Sequence, residues 1–206
     1  MNLPENIKTI VSPTEFKLKE KGSIFIAKSF PIISEDDANN LLNQQRKEFY
    51  DATHHCYSYK LQNGIFKYSD DGEPNGTAGI RIFNAQNHFE LTNILTIVIR
   101  YFGGTKLGVG PLGKAYYDSA FNSINQNEII EKELYQNIVI EYDFSQSKTV
   151  HHLINKNKIR IQTSTFEEIP KIFAIIKPNI LKQFEDEVNF FSPQIRLKIV
   201  DEYSYQ

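Results

Sequence analysis

The chain has one cysteine, Cys56, and no tryptophan among its 206 residues. A lone thiol excludes an intrachain disulfide and points to a reducing compartment. Without tryptophan, 15 Phe and 11 Tyr must supply the large apolar area of the core. No apolar run approaches the roughly 18 residues of a membrane helix. The opening MNLPENIKTIVSPTEF lacks a basic stretch followed by an apolar core, so no secretory signal is read there. The net charge is only −2, which gives no support to strong nonspecific nucleic-acid binding and leaves only a local basic patch open. These absences predict a soluble cytoplasmic protein.

Glycine is missing from the last 93 residues, all ten glycines lying at or before Gly113. Charge does not divide the same way: residues 1–131 carry 13 basic and 15 acidic groups, and the remainder 10 of each. The asymmetry therefore lies in turn chemistry. It predicts two domains, 1–131 and 132–206.

In the first, GSIFIAKSF alternates as a strand does. Ser34 is placed to cap a helix, with Asp37 at the capping-box position and Ala38, Leu41, Leu42, Gln45 and Phe49 along one face. HHCYSYKL reads as a strand, SDDGEPNGTAG as a loop with a helical segment from Thr77, and NILTIVIRYF as a central strand. From Pro111, the positions Leu112, Ala115, Tyr116, Ser119 and Ala120 give a helical face. In the second, Ile138, Ile140 and Tyr142 mark a strand, and Ser145 is the expected cap of a helix burying Val150, Leu153 and Ile154. Strands follow on Ile159, Ile161 and Thr165 and on Ile172, Ala174 and Ile176. A helix on Ile180, Leu181, Phe184 and Val188 and a strand on Ile195, Leu197 and Ile199 complete the chain. That β-α-β-β-α-β order is the ferredoxin-like pattern, and the fold class expected for the whole is α+β.

Five of the ten glycines fall in YFGGTKLGVGPLGKAY, residues 101–116. From Gly108 the stretch matches G-x-G-x-x-G, and it nearly matches G-x-x-x-x-G-K-[ST]. Ala115 stands where a P-loop needs the magnesium-binding hydroxyl, and Pro111 removes an N–H from the cradle. GGTKL also separates the strand end from Gly108, and Glu128 precedes the next strand where a dinucleotide site needs an acid at a strand end. Neither nucleotide motif survives. What remains is a strand-to-helix turn with free N–H groups and Lys106 and Lys114 nearby, able to meet an anion such as RNA phosphate. The candidate contacts are Arg100, Gly103, Gly104, Lys106, Gly108, Gly110 and Lys114. The competing reading is a tight turn packed on the sheet, with Arg100 and the lysines solvated.

His54, His55 and Cys56 are adjacent, but in a strand His54 and Cys56 share a face while His55 points away. At most two can meet one ion, so no metal and no other cofactor is expected. His54, Cys56, Asp70, Asp71 and Glu73 are the weak candidates for catalysis. The bland alternative makes them a half-buried thiol, a hydrogen-bonded histidine and loop carboxylates that build a turn and a helix cap. In the second domain, KTVHHLINKNKIR is the densest positive run, and Lys148, Lys156, Lys158 and Arg160 are candidate phosphate contacts set against a solvated-face reading.

RYFGGTKLGVG followed by AY, preceded by SDDGEPNGTAG and by ATHHCYSY, closely resembles the YigZ/IMPACT family over nearly the full chain. The resemblance implies an N-terminal two-layer α/β domain, with a left-handed crossover, like the second domain of ribosomal protein S-five. It also implies a C-terminal ferredoxin-like domain like the last domain of elongation factor G. Eukaryotic members are translation regulators that compete for the ribosome-associated activator of a stress kinase. The expected partners are therefore RNA, the ribosome or a ribosome-associated protein, with no membrane. The chain departs from the family at Pro111, usually glycine, at Lys114, usually arginine, and at Arg81, often proline. Lysine can meet phosphate as a point charge without an arginine's rigid fork. The alternative function is a small hydrolase or transferase with its site between HHC, DDGEP and GGTKLG. A proline-dipeptidase label carried by some relatives finds no support in these residues.

Overall fold

A computed structural model describes residues 3–206. Cα packing divides the chain into two compact units, one ending at Glu131 and the other spanning Lys132–Gln206.

The first unit contains β1 (Asn6–Ile10), β2 (Thr14–Glu20), β3 (Ser23–Pro31), α1 (Glu35–Glu48), β4 (His54–Lys60), β5 (Phe66–Ser69), α2 (Gly79–His88), β6 (Ile94–Tyr101) and α3 (Val109–Asn125). Five strands form a sheet in the order β2-β3-β6-β4-β5, with each neighbouring pair antiparallel. β6 is central and nearly all of it is buried, as an uninterrupted apolar run requires. Its alternate residues feed two cores. Val98 packs with Phe25, Ala27 and Cys56 against α2 and α3, through Ile82, Ala115 and Tyr116. Leu95, Ile97 and Ile99 pack with Tyr57 and Tyr59 against Ala38 and Leu42 of α1. Helices therefore cover both faces, and this unit has three layers, not the two expected. A strand apolar on both sides must be covered on both sides, and α1 supplies the second cover.

Local chemistry fixes the helix starts. Ser34 Oγ accepts from the Asp37 N–H at 3.1 Å, and Asp37 Oδ2 accepts from the Ser34 N–H at 3.0 Å, a complete capping box for α1. α2 starts two residues after Thr77, and its N-cap Ala78 makes no side-chain cap bond. Asp70 does that work from the preceding loop: Oδ1 accepts from the N–H groups of Ala78 and Gly79 at 2.9 and 2.8 Å, and Oδ2 from that of Gly76 at 2.9 Å.

The chain enters the second unit along β7 (Ile129–Tyr142). α4 (Ser147–Lys156), β8 (Arg160–Thr165), β9 (Lys171–Ile176), α5 (Pro178–Asn189) and β10 (Ile195–Tyr205) follow. The antiparallel pairs β10–β7, β7–β9 and β9–β8 place β7 and β9 at the centre. One face carries Ile138, Ile140, Ile172 and Ala174 against Val150, Leu153 and Ile154 of α4 and Phe184 and Val188 of α5. Three local expectations are corrected. Ser145 lies in a 3₁₀ turn, Phe144–Gln146, and α4 begins after it with no side-chain cap. Ile161 is exposed beside a register shift in β8, and Ile199 is exposed beside one in β10. Both residues stand opposite buried ones, Ala174 and Ile138, but on the outer strands β8 and β10, where the alternation that the sequence pattern assumed does not bring burial.

Candidate functional site

The cross-strand register sets His54 of β4 opposite Arg100 of β6, on the sheet face covered by α2 and α3. The loop between β5 and α2 brings Glu73 to the same place. Its carboxylate, in a residue only 9% exposed, accepts from Arg100 Nη1 at 2.5 Å and from the Tyr116 hydroxyl at 2.7 Å. Arg100 Nη2 donates to Ser23 Oγ at 3.2 Å, and the guanidinium carbon lies 5.2 Å from the Phe25 ring centre and 5.5 Å from that of Phe102. Arg100 is 4% exposed. It is thus neither solvated nor a surface anion contact: a basic residue on a central strand is buried and needs a counter-charge, which Glu73 provides.

His54 Nδ1 lies 2.8 Å from the Asp71 carbonyl oxygen, which can only accept, so Nδ1 carries the proton. In the neutral ring Nε2 then keeps its lone pair, 3.8 Å from Glu73 Oε2. Cys56 is fully buried, 2.9 Å from the Asp70 carbonyl and 3.4 Å from the Tyr116 hydroxyl. Burial pushes its thiol well above the usual range; the Tyr116 hydroxyl is the next influence and pulls it down, while the carboxylates of Glu73, Asp71 and Asp70 push it up. A thiol so held is a poor nucleophile. Burial likewise raises the Tyr116 phenol, with Cys56 and Glu73 reinforcing it. His55 faces the other way, its backbone N–H donating to Asp71 Oδ2 at 2.6 Å. Burial lowers the His55 pKa despite the nearby Asp71. Of the five catalytic candidates, Asp70 and Asp71 therefore build turns and a cap, Cys56 is core, and His54 and Glu73 face a cavity.

That cavity has a volume of about 420 Å³ and is lined by Thr53 and His54, by Glu73 and Pro74, by Arg100 and Phe102, and by Lys106 to Val109 with Leu112. It lies where the three segments HHC, DDGEP and GGTKLG converge. Thr53, Phe102 and Leu107 were not singled out from the sequence. Phe102 carried a usable signal, a large aromatic at a strand end before paired glycines.

The glycine turn forms one wall. A Cβ on Gly103 would stand 2.0 Å from the backbone carbon of Gly22, so the turn crosses the β2–β3 hairpin backbone to backbone. Gly108 is the N-cap of α3 at φ 84°, with no side-chain cap bond. Gly104 lies in the exposed turn and Gly110 in the first turn of α3. The two lysines separate. Lys106 is exposed at the cavity, with no ion pair among the described residues. Lys114 pairs with Asp118 at 2.5 Å and borders a different recess, with Arg81 and Tyr117. In the second unit Lys156 is paired with Glu187 at 2.9 Å and Arg160 lies over the Tyr135 ring, while Lys148 and Lys158 are exposed. The basic run is therefore partly neutralised. No helix among the described residues is long and apolar enough to cross a membrane.

The Impact N-terminal domain model matches residues 21–124. The chain is 26% identical over 186 residues to the IMPACT family member YvyE of Bacillus subtilis, covering 89% of this chain and 82% of the relative. To the Thermus thermophilus "IMPACT family member in pol 5'region" it is 30% identical over 146 residues, 71% of this chain and 79% of the relative. The Protein IMPACT homolog of Dictyostelium discoideum is 37% identical over 95 residues, 43% of this chain and 27% of that longer protein. The crystal structure of a protein described only as hypothetical superposes with a TM-score of 0.70 at 24% identity, covering 97% of this chain and all of the other.

Proposed function

Because the chain belongs to the IMPACT family, we propose that it is a translation-linked binding protein contacting RNA, the ribosome or a ribosome-associated partner in the cytoplasm. The observation that carries this reading is a contrast among the candidate residues: Lys106 lines the cavity, exposed and with no ion pair among the described residues, while Cys56 and Asp70 lie outside the lining, committed to core and cap. An unpaired lysine beside a helix N-terminus favours an anionic partner. The first unit is assigned as the relative of the ribosomal S-five second domain, with α1 as an added layer. The β7-α4-β8-β9-α5-β10 order and its antiparallel pairing support a ferredoxin-like second domain of the kind that ends elongation factor G.

The test is co-sedimentation with ribosomes over a salt series. Wild type is expected to associate and to release as salt rises. Lys106→Ala is expected to weaken association more than Lys114→Ala, whose charge is already met by Asp118. Absence of association at every salt concentration would sink the ribosome version. One observation favours the hydrolase or transferase reading: His54 Nε2 is available as a proton acceptor at the cavity.

A further inference from the structure

We infer that the cavity between β4, the β5–α2 loop and the glycine turn holds one nucleotide unit, its base against Phe102 and its phosphate at Lys106 and the first turn of α3. The inference rests on the RNA reading above and assigns it a place. Its size, about 420 Å³, lies in the range of small-ligand sites, roughly 300–1,000 Å³. Phe102, Pro74, Leu107, Val109 and Leu112 make its wall largely apolar, and Phe102 is 46% exposed with Arg100 over its ring. An exposed aromatic backed by a guanidinium is a stacking platform for any base.

The polar groups narrow the ligand further. Thr53 Oγ1 accepts from the Phe102 N–H at 3.0 Å, which leaves its O–H to donate. Neighbouring His54 offers the Nε2 lone pair in the neutral ring. A donor and an acceptor side by side suit a base edge and not a simple hydrocarbon ring. Arg100, 4% exposed and lining the cavity, has an Nε–H with no acceptor among the described residues. A buried donor of that kind is satisfied by a ligand oxygen, as a base carbonyl provides. Glu73 already balances the Arg100 charge, so the charge left at the cavity is that of Lys106. The α3 N-terminus has no side-chain cap, and Pro111 leaves only the Val109 and Gly110 N–H groups unbonded in its first turn. One lysine and two N–H groups match one phosphate.

A nucleotide can come free or within an unpaired strand. Isothermal titration of the full chain with uridine and adenosine monophosphates, and with the corresponding RNA hexamers, separates the two. Hexamer binding is expected to fall about ten-fold in Phe102→Ala. In Lys106→Ala the salt slope is expected to drop by about 0.7, the share of one phosphate on a single strand. Both side chains are exposed, and thermal unfolding of each variant checks that the fold is kept. Binding of monophosphates alone, weakened by both changes, supports the site and assigns it a free nucleotide. Hexamer binding unaltered by both changes overturns the site while RNA binding stands. If neither ligand binds wild type, the site is overturned, and ribosome co-sedimentation judges the wider reading separately.

Discussion

Glu73 is the residue on which the cavity floor depends. Its carboxylate holds Arg100 and Tyr116 together in a space from which water is nearly excluded, the two side chains of the ion pair being 5% and 4% exposed. Removing one partner of such a pair leaves the other charge buried and uncompensated. Glu73→Gln is therefore expected to cost about 3–5 kcal/mol in urea unfolding, and Glu73→Leu with Arg100→Met to recover most of that loss. A single variant as stable as wild type would show that water reaches Arg100. The role of Arg100 was not legible in the sequence, because a basic residue ending an apolar run looks like a strand's solvent exit. Its burial follows from the partners at its side, Ser23 and Glu73, the latter held in turn by Tyr116, and these positions are far apart in the chain.

Elements with strong local signals were legible. The capping box at Ser34 and Asp37 and the apolar run of β6 declare themselves without tertiary help. β2 was missed because TEFKLKE alternates between exposed and half-buried positions with charges interleaved, the signature of an edge strand. β5, FKYS, is four residues long and mostly exposed, too short for periodicity to register. The start of α2 was nearly right, but its capping group lies eight and nine residues upstream of the N–H groups it serves, beyond the reach of a local motif. Asp70→Ala should destabilise the first unit by about 2 kcal/mol, the upper end of a cap loss, since three N–H groups and a favourable dipole contact go together. Asp70→Asn keeps an acceptor and should lose less; equal losses in thermal unfolding would remove the charge from the explanation.

At the scale of the molecule, each unit has its own core, and the glycine-free unit builds one largely from β-branched and aromatic residues. Phe184 is 1% exposed within that core. Phe184→Ala is expected to cost about 3–5 kcal/mol, and amide exchange is expected to quicken at Ile140 while Val98 of the first unit keeps its protection. Equal quickening at both would mean that the halves unfold as one. The crossing of Gly103 over the β2–β3 hairpin has its own consequence for folding. Gly103 N–H meets Ser23 Oγ at 3.2 Å across 80 residues of chain, and contacts of such separation form only after the loop-closure entropy has been overcome. The wall that carries Phe102 and Lys106 therefore exists only once β3 and β6 have paired, with Ile24 opposite Tyr101. A half-folded chain offers a ligand nothing to hold, so whatever binds there selects the finished protein and shields it from unfolding.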